Sequence, residues 1–123
     1  MAKDRKEKAY EHGDAFEQAM RECMAKFPPE ARNKHMDLVE EAIGAPAIRW
    51  SEVDKSIDYL EQYRDATSVV TKLMEKAGKE TIWASDSDRR EFQAIRKFIH
   101  DEDKFLANLL NQIKKRRKRE LGK

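Results

Sequence analysis

Several residue types on which enzymes and secreted domains depend are scarce in this chain of 123 residues, which has one cysteine and four glycines. The single cysteine, Cys23, cannot form an intrachain disulfide, and this fits a reducing compartment. Four glycines leave little room for the flexible loops on which active sites are usually built. Leucine, isoleucine, valine and phenylalanine together fill less than a fifth of the chain. Such a lean core is compatible with a second copy or a partner completing part of the apolar surface.

Long apolar runs are absent as well, and no stretch approaches the roughly 18 consecutive apolar residues that a membrane span needs. The chain starts Met-Ala-Lys-Asp-Arg-Lys-Glu-Lys, without the apolar segment that is found in secretory signals. We therefore expect a soluble protein of the cytoplasm with no membrane partner.

Motifs for catalysis or metal binding are also missing from the sequence. It has no glycine loop for phosphate and no nucleophile beside a histidine in a recognisable context. None of the three histidines, His12, His35 and His100, has a glutamate three residues before it, as the Glu-x-x-His motif of di-iron bundles requires. The sequence therefore predicts a protein that is not an enzyme, with no catalytic residues, no metal site and no cofactor.

Charged residues are abundant instead: they make up 41% of the chain, with acid and base interspersed and a net charge of only +2. This mixture is typical of helices with long solvated faces rather than of disorder. A first helix is predicted from about Lys3 to Lys26, where apolar or small residues recur at spacings of three and four. Pro28-Pro29 ends it, because the residue before a proline avoids the α region. The stripe comprises Ala9, Gly13, Phe16, Met20, Cys23 and Phe27.

Three further helices follow from the cap and stop signals of the chain. The second is predicted over residues 29–43, between two proline-containing turns. The third is predicted to start at Ser51, which has the form of a capping box with Asp54, and to stop at Gly78. The fourth is predicted to start at Ser85, capped in the same way, and to continue to the end of the chain.

Four helices joined by short connections predict an all-α fold, a four-helix antiparallel bundle formed by residues 1–113. The fourth helix is the longest, so its last turns are expected to project beyond the bundle as a basic extension, residues 114–123. Its apolar stripe, which ends where this extension begins, comprises Phe92, Ile95, Ile99, Leu106, Leu109 and Ile113.

The last ten residues carry seven basic side chains and one acidic side chain, whereas the rest of the chain is acidic overall. Consecutive basic residues can neutralise several phosphates of DNA or RNA and release their counterions. The alternatives are a solvated tail, whose charge favours a helix C-terminus, and a nuclear localisation signal. The candidate polyanion-binding residues are Lys114, Lys115, Arg116, Arg117, Lys118 and Arg119.

Two further features have both a functional and a structural interpretation. Trp50 and Trp83 lie at helix junctions, where each either anchors a protein partner or wedges its loop onto the core. The third helix has an acidic face, which is either a cation or partner site or a solvated face opposite the apolar stripe. The members of this acidic face are Asp54, Asp58, Glu61 and Asp65.

Together these patterns predict a non-enzymatic helical module that presents helix faces to a protein partner, as an adaptor, an inhibitor or an assembly or regulatory factor. One form of this hypothesis places the partner in a nucleoprotein complex that the basic end also touches. The first alternative is sequence-nonspecific binding of DNA or RNA through residues 114–119. The second alternative is a structural homodimer joined through helices one and four.

Overall fold

A computed structural model describes residues 5–80 and 85–122, including the side chains of 15–78 and 85–122. These residues form four α-helices: α1 (Arg5–Lys26), α2 (Pro29–Gly44), α3 (Trp50–Glu80) and α4 (Asp86–Leu121). The described part of the chain contains no strand. The prediction of an all-α fold with four helices is confirmed.

Local sequence signals set three of the helix boundaries as predicted. Pro28 has an extended backbone (φ −62°, ψ 146°) and separates α1 from α2. Pro29 occupies the first turn of α2, where its missing N–H is not needed. Ser85 caps α4, since its Oγ accepts a hydrogen bond from the backbone N–H of Asp88 at 3.1 Å.

The two predicted boundaries of α3 are wrong. The helix begins at Trp50, before Ser51, and the Arg49 carbonyl accepts hydrogen bonds from two N–H groups of the first turn. Ser51 therefore lies inside the helix and does not cap it. At the other end, α3 continues past Gly78, where the absent side chain leaves room for the Phe92 ring of α4. A Cβ at Gly78 would lie 3.0 Å from Cε1 of that ring.

Contacts along α3 show its direction relative to α4. Arg64 of α3 lies 2.8 Å from the carboxylate of Asp103, whereas Asp54, earlier in α3, lies 2.7 Å from Arg117. A later residue of α4 thus meets an earlier residue of α3, so the two helices run in opposite directions.

The first two helices lie one after the other along α3. Phe27, between α1 and α2, packs edge-on against Tyr63 in the middle of α3, with ring centroids 5.6 Å apart. From Phe27, α1 extends towards Phe92 of α4, and the ring centroids of Phe16 in α1 and Phe92 are 6.3 Å apart. The second helix extends in the opposite direction along α3. Arg32, early in α2, lies 3.4 Å from Glu102, whereas Ala42, later in α2, accepts from Arg116, later in α4. The second helix therefore runs in the same direction as α4. The alternation of the predicted antiparallel bundle is therefore not observed across all four helices.

The main core lies where α2, the first half of α3 and the second half of α4 meet. Its centre contains Val39, Leu60 and Ile113, which are fully buried. Burial of such side chains is the chief stabilising term of the fold. The whole cluster comprises Phe27, Val39, Ala42, Val53, Ile57, Leu60, Tyr63, Leu106, Leu109, Leu110 and Ile113.

Candidate functional site

An apolar groove opens between α1 and the first half of α4, with α3 as its floor. It has a volume of about 500 Å³, within the range typical of ligand sites, and its lining is almost entirely apolar. The residues that define this apolar groove are Met20, Cys23 and Met24 of α1, Val70 of α3, and Ile95 and Phe98 of α4.

The groove leaves large apolar side chains in contact with water. Phe98 is 60% exposed and Met24 is 54% exposed, while Ile95 on the α4 stripe is only half-buried. Full burial of a side chain of this size contributes about 1.5–3 kcal/mol relative to exposure. Apolar side chains that are exposed singly are ordinary, whereas several that line one groove are a candidate interaction site.

A polar cluster of Arg32, Tyr63 and Glu102 lies at one end of the groove. The Tyr63 hydroxyl donates a hydrogen bond to the Glu102 carboxylate, and Arg32 Nη1 donates to Tyr63 Oη at 3.0 Å. Arg32 also lies 3.4 Å from Glu102, and the two side chains are only 17% and 11% exposed. Burial, followed by the hydrogen bond to Glu102, raises the pKa of Tyr63 above its ordinary value. The cluster joins α2, α3 and α4 and fixes this end of the groove.

Cys23 is half-buried in the α1 wall of the groove. Burial and, to a smaller extent, the negative charge of Glu102 raise the pKa of the Cys23 thiol. The side chain therefore stays a neutral thiol at neutral pH and contributes to the apolar wall, as expected of a small core residue.

Histidines and carboxylates do not assemble a metal site in the described part of the chain. His35 stacks on Tyr59 at 4.2 Å, and its Nδ1 lies 2.7 Å from Oγ of the buried Ser56. Burial, with a smaller effect of Lys34, lowers the pKa of His35. No three His, Cys, Asp or Glu side chains among the described residues could hold a metal ion together. The side chain of His12 lies outside the described residues.

Residues 114–119 form a basic block, and part of it is bound to the rest of the fold. Lys114 forms an ion pair with Glu61, and Arg117 donates two hydrogen bonds to Asp54 at 2.7 and 3.0 Å. These hydrogen bonds raise the pKa of Arg117. Both acidic partners belong to the acidic face that the sequence predicted on α3. That face is therefore partly occupied by the basic block instead of being fully solvated.

Arg116 binds the C-terminal end of α2. Its Nη1 donates to the carbonyl oxygens of Ala42 and Ile43 at 2.9 and 3.0 Å, and its Nε donates to Glu120 at 2.9 Å. The side chain is only 14% exposed. The Ala42 carbonyl also accepts from the Ala45 N–H at 3.3 Å, so Arg116 adds a second donor there. At Ile43 it supplies a donor to one of the last carbonyls of the helix, which lack partners within the helix.

The other three side chains of the basic block, Lys115, Lys118 and Arg119, are exposed. They line a shallow open surface beside Ile43 and Gln112. The prediction that the whole basic end projects beyond the bundle is not confirmed, because Lys114, Arg116 and Arg117 turn back onto α2 and α3.

The structure describes only one of the two tryptophans that the sequence singled out. Trp50 is half-buried and packs against the main core, as expected of a residue that wedges its loop onto the bundle. Its role as an anchor for a partner stays a prediction. Trp83 lies outside the described residues.

Sequence reasoning missed the residues that give the groove its character. Met24 and Phe98 lie just off the predicted apolar stripes. The one signal in the sequence that could have found them is that each is a large apolar residue beside such a stripe. Arg32, Tyr63 and Glu102 carry no signal at all, since each is an ordinary residue on a helix surface until the helices pack.

Within residues 5–80 and 85–122, no helix combines the length and the apolar character that a membrane crossing requires. The chain matches no protein-family model, no curated protein and no solved structure.

Proposed function

We propose that the protein is a helical protein-interaction module that binds an amphipathic helix in the apolar groove. The observation that carries this proposal is the exposure of Phe98 and Met24 on opposite walls of the groove. An amphipathic helix recognises such a surface by placing apolar anchors, three or four residues apart, between the two walls. Its apolar face would bury both side chains and the groove floor.

The chemistry of the groove favours binding over catalysis. Its lining is almost entirely apolar, and the one arginine at its end is already neutralised by Glu102. A module of this kind acts as an adaptor, an inhibitor or an assembly or regulatory factor, without chemistry of its own. We also propose that the protein is cytoplasmic, because the single cysteine, Cys23, cannot form an intrachain disulfide and therefore fits a reducing compartment.

Site-specific photo-crosslinking tests this proposal in the cell. The full chain is produced in its native host with p-benzoylphenylalanine in place of Phe98, or in place of Val69 as a control. Val69 is a similarly exposed apolar residue, 54% exposed on α3, and it does not line the groove. We expect adducts at position 98 that are absent at position 69. Mass spectrometry should map them to an amphipathic helical segment.

The mapped peptide also identifies the occupant of the groove, either another protein or a second copy of this chain. Absence of adducts at position 98, or equal yields at positions 98 and 69, would contradict the proposal, because the groove would then have no preferred occupant.

Contact with DNA or RNA is a second candidate function, and the exposure of Lys115, Lys118 and Arg119 favours it. These three cations form no ion pair with another described residue and lie on one open surface that a polyanion can reach. Three phosphate contacts on duplex DNA give a slope of about −2.7 in a plot of log affinity against log salt concentration. This binding would be weak, nonspecific and strongly salt-dependent.

A further inference from the structure

The second half of α4 presents amides and cations on the side that faces away from the main core. The core side of this half buries Leu106, Leu109 and Ile113. On the opposite side, exposed polar residues recur from Asn108 to Arg119 at spacings of three and four, which place them on one face of the helix. This face is about 16 Å long. We call it the outer face, and its members are Asn108, Asn111, Gln112, Lys115, Lys118 and Arg119.

The outer face contains no acidic side chain. The acids of α4 beyond residue 101 lie on other sides of the helix, and each of them forms an ion pair with an arginine. These pairs are Glu102 with Arg32, Asp103 with Arg64, and Glu120 with Arg116.

Acids of α3 beside this part of α4 are neutralised as well. Glu61 pairs with Lys114, and Asp54 pairs with Arg117. The open surface around the three cations of the outer face has no acidic residue in its lining. The outer face therefore keeps an uncompensated positive charge, which is complementary to a polyanion and repels a basic partner.

An exposed helix face of this composition fits duplex DNA better than duplex RNA. The major groove of B-DNA, about 12 Å wide, admits an α-helix, whereas side chains cannot read the deep, narrow major groove of A-form RNA. Contacts of lysine and arginine with phosphates position such a helix, and contacts with base edges give it a sequence preference. Asparagine and glutamine pair bidentately with N6 and N7 of adenine. The outer face supplies both kinds of contact, because its three amides lie next to its three cations.

We infer that the outer face of α4 lies in the major groove of duplex DNA. Asn108, Asn111 and Gln112 contact base edges there, while the three cations contact phosphates at the C-terminal end of the face. This inference rests on the second candidate function, contact with DNA or RNA. The cations alone bind every sequence alike, and the amides add a preference for sites that contain adenine.

Selection from a library of random DNA duplexes tests the inference. The full chain binds the library at low salt, and the bound duplexes are sequenced after repeated rounds. We expect a short motif that contains adenine to be enriched. The double variant Asn111→Ala, Gln112→Ala should lower the preference for this motif over an unrelated duplex about tenfold or more, as expected when a bidentate base contact is lost. Its affinity for the unrelated duplex should stay unchanged.

The matched control is Gln62→Ala, which removes an exposed amide of α3 that donates to Asp58 and lies outside the outer face. This variant should keep the preference of the native chain. Far-UV circular dichroism checks that the helical content of each variant is unchanged.

Three results would overturn the inference: no enriched motif, a preference that survives in the double variant, or tighter binding of RNA than of the selected duplex. If all duplexes bind alike, the base contacts are wrong while the second candidate function stands. If no nucleic acid binds at low salt, both are wrong. The helix proposed for the apolar groove is tested separately by crosslinking at position 98.

Discussion

Replacing Glu102 with alanine should lower the free energy of unfolding by about 3 kcal/mol, because it leaves the charge of a buried arginine without its partner. Arg32 is 17% exposed and lies 3.4 Å from Glu102, and the Tyr63 hydroxyl donates to the same carboxylate. Loss of the carboxylate therefore leaves the Tyr63 hydroxyl without its acceptor. Arg32 keeps its hydrogen bond to Tyr63 Oη but loses its counter-charge. Urea unfolding followed by circular dichroism measures the change.

A matched control for this prediction is Asp86→Ala, which removes a carboxylate that pairs with Arg89 and Arg90 in solvent on the surface of α4. Exposed pairs contribute little, so this variant should lose less than about 1 kcal/mol. Equal losses for Glu102→Ala and Asp86→Ala would show that the cluster is not the buried network described above. The double variant Arg32→Met, Glu102→Leu should recover most of the stability, because it removes both charges together.

Replacing Arg116 with alanine should destabilise the fold by about 2 kcal/mol, although Arg116 lies in a run of basic residues that looks uniform in the sequence. Two carbonyl oxygens at the end of α2 lose their charged donor, and Glu120 loses its partner. Lys118→Ala is the matched control from the same run, since Lys118 is exposed and should change stability by less than about 0.5 kcal/mol. Thermal and urea unfolding of the two variants side by side would reveal the difference.

Binding of generic duplex DNA at low salt should depend on the exposed cations of the basic block and not on Arg116. Changing Lys115, Lys118 and Arg119 together to glutamine should abolish any salt-dependent binding while the stability is kept. Arg116→Ala should bind as the native chain does under conditions where it is folded. If Arg116→Ala is as stable as Lys118→Ala, the hydrogen bonds from Arg116 of α4 to the end of α2 do not stabilise the fold. If the triple variant binds duplex normally, these three side chains are not the polyanion surface.

Local signals made most of the fold predictable. Pro28-Pro29 and the Ser85 cap act within a few residues of the chain, so the C-terminal end of α1 and the starts of α2 and α4 follow directly from the sequence. The predicted start of α1 at Lys3 lies outside the described residues. The end of α3 did not follow, since Gly78 is needed for the close approach of the Phe92 ring and not for a helix stop.

The site was much less predictable, because it depends on contacts between distant residues. Tyr63 meets Arg32 and Glu102 across 31 and 39 positions of the chain, and nothing local indicates these partners. Helical spacing assigned Ile99 and Leu106 to one apolar stripe. Periodicity says which residues share a face but not which half of that face a neighbouring helix covers. The apolar groove lies along the first half of the α4 stripe, which no neighbouring helix covers fully.

The roles within the basic block show the same limit. Lys114 and Arg117 are one turn apart and both reach α3, while Arg116 points to α2. Helical spacing could have separated these directions, but only the position of α2 and α3 decides which direction is occupied. The lean core was the one feature of composition that already favoured a second copy or a partner.

The rate at which Cys23 is alkylated tests most directly whether the apolar groove is covered in solution. Cys23 is the one cysteine of the chain and lines the groove, so iodoacetamide and mass spectrometry report on this surface without any substitution in the native chain. In cells of the native host and at one pH, native chain should react several-fold more slowly than the neutral variant Phe98→Gln, because the helix bound in the groove shields the thiol. Equal rates in the two proteins would contradict the account, since the groove would then be open in both.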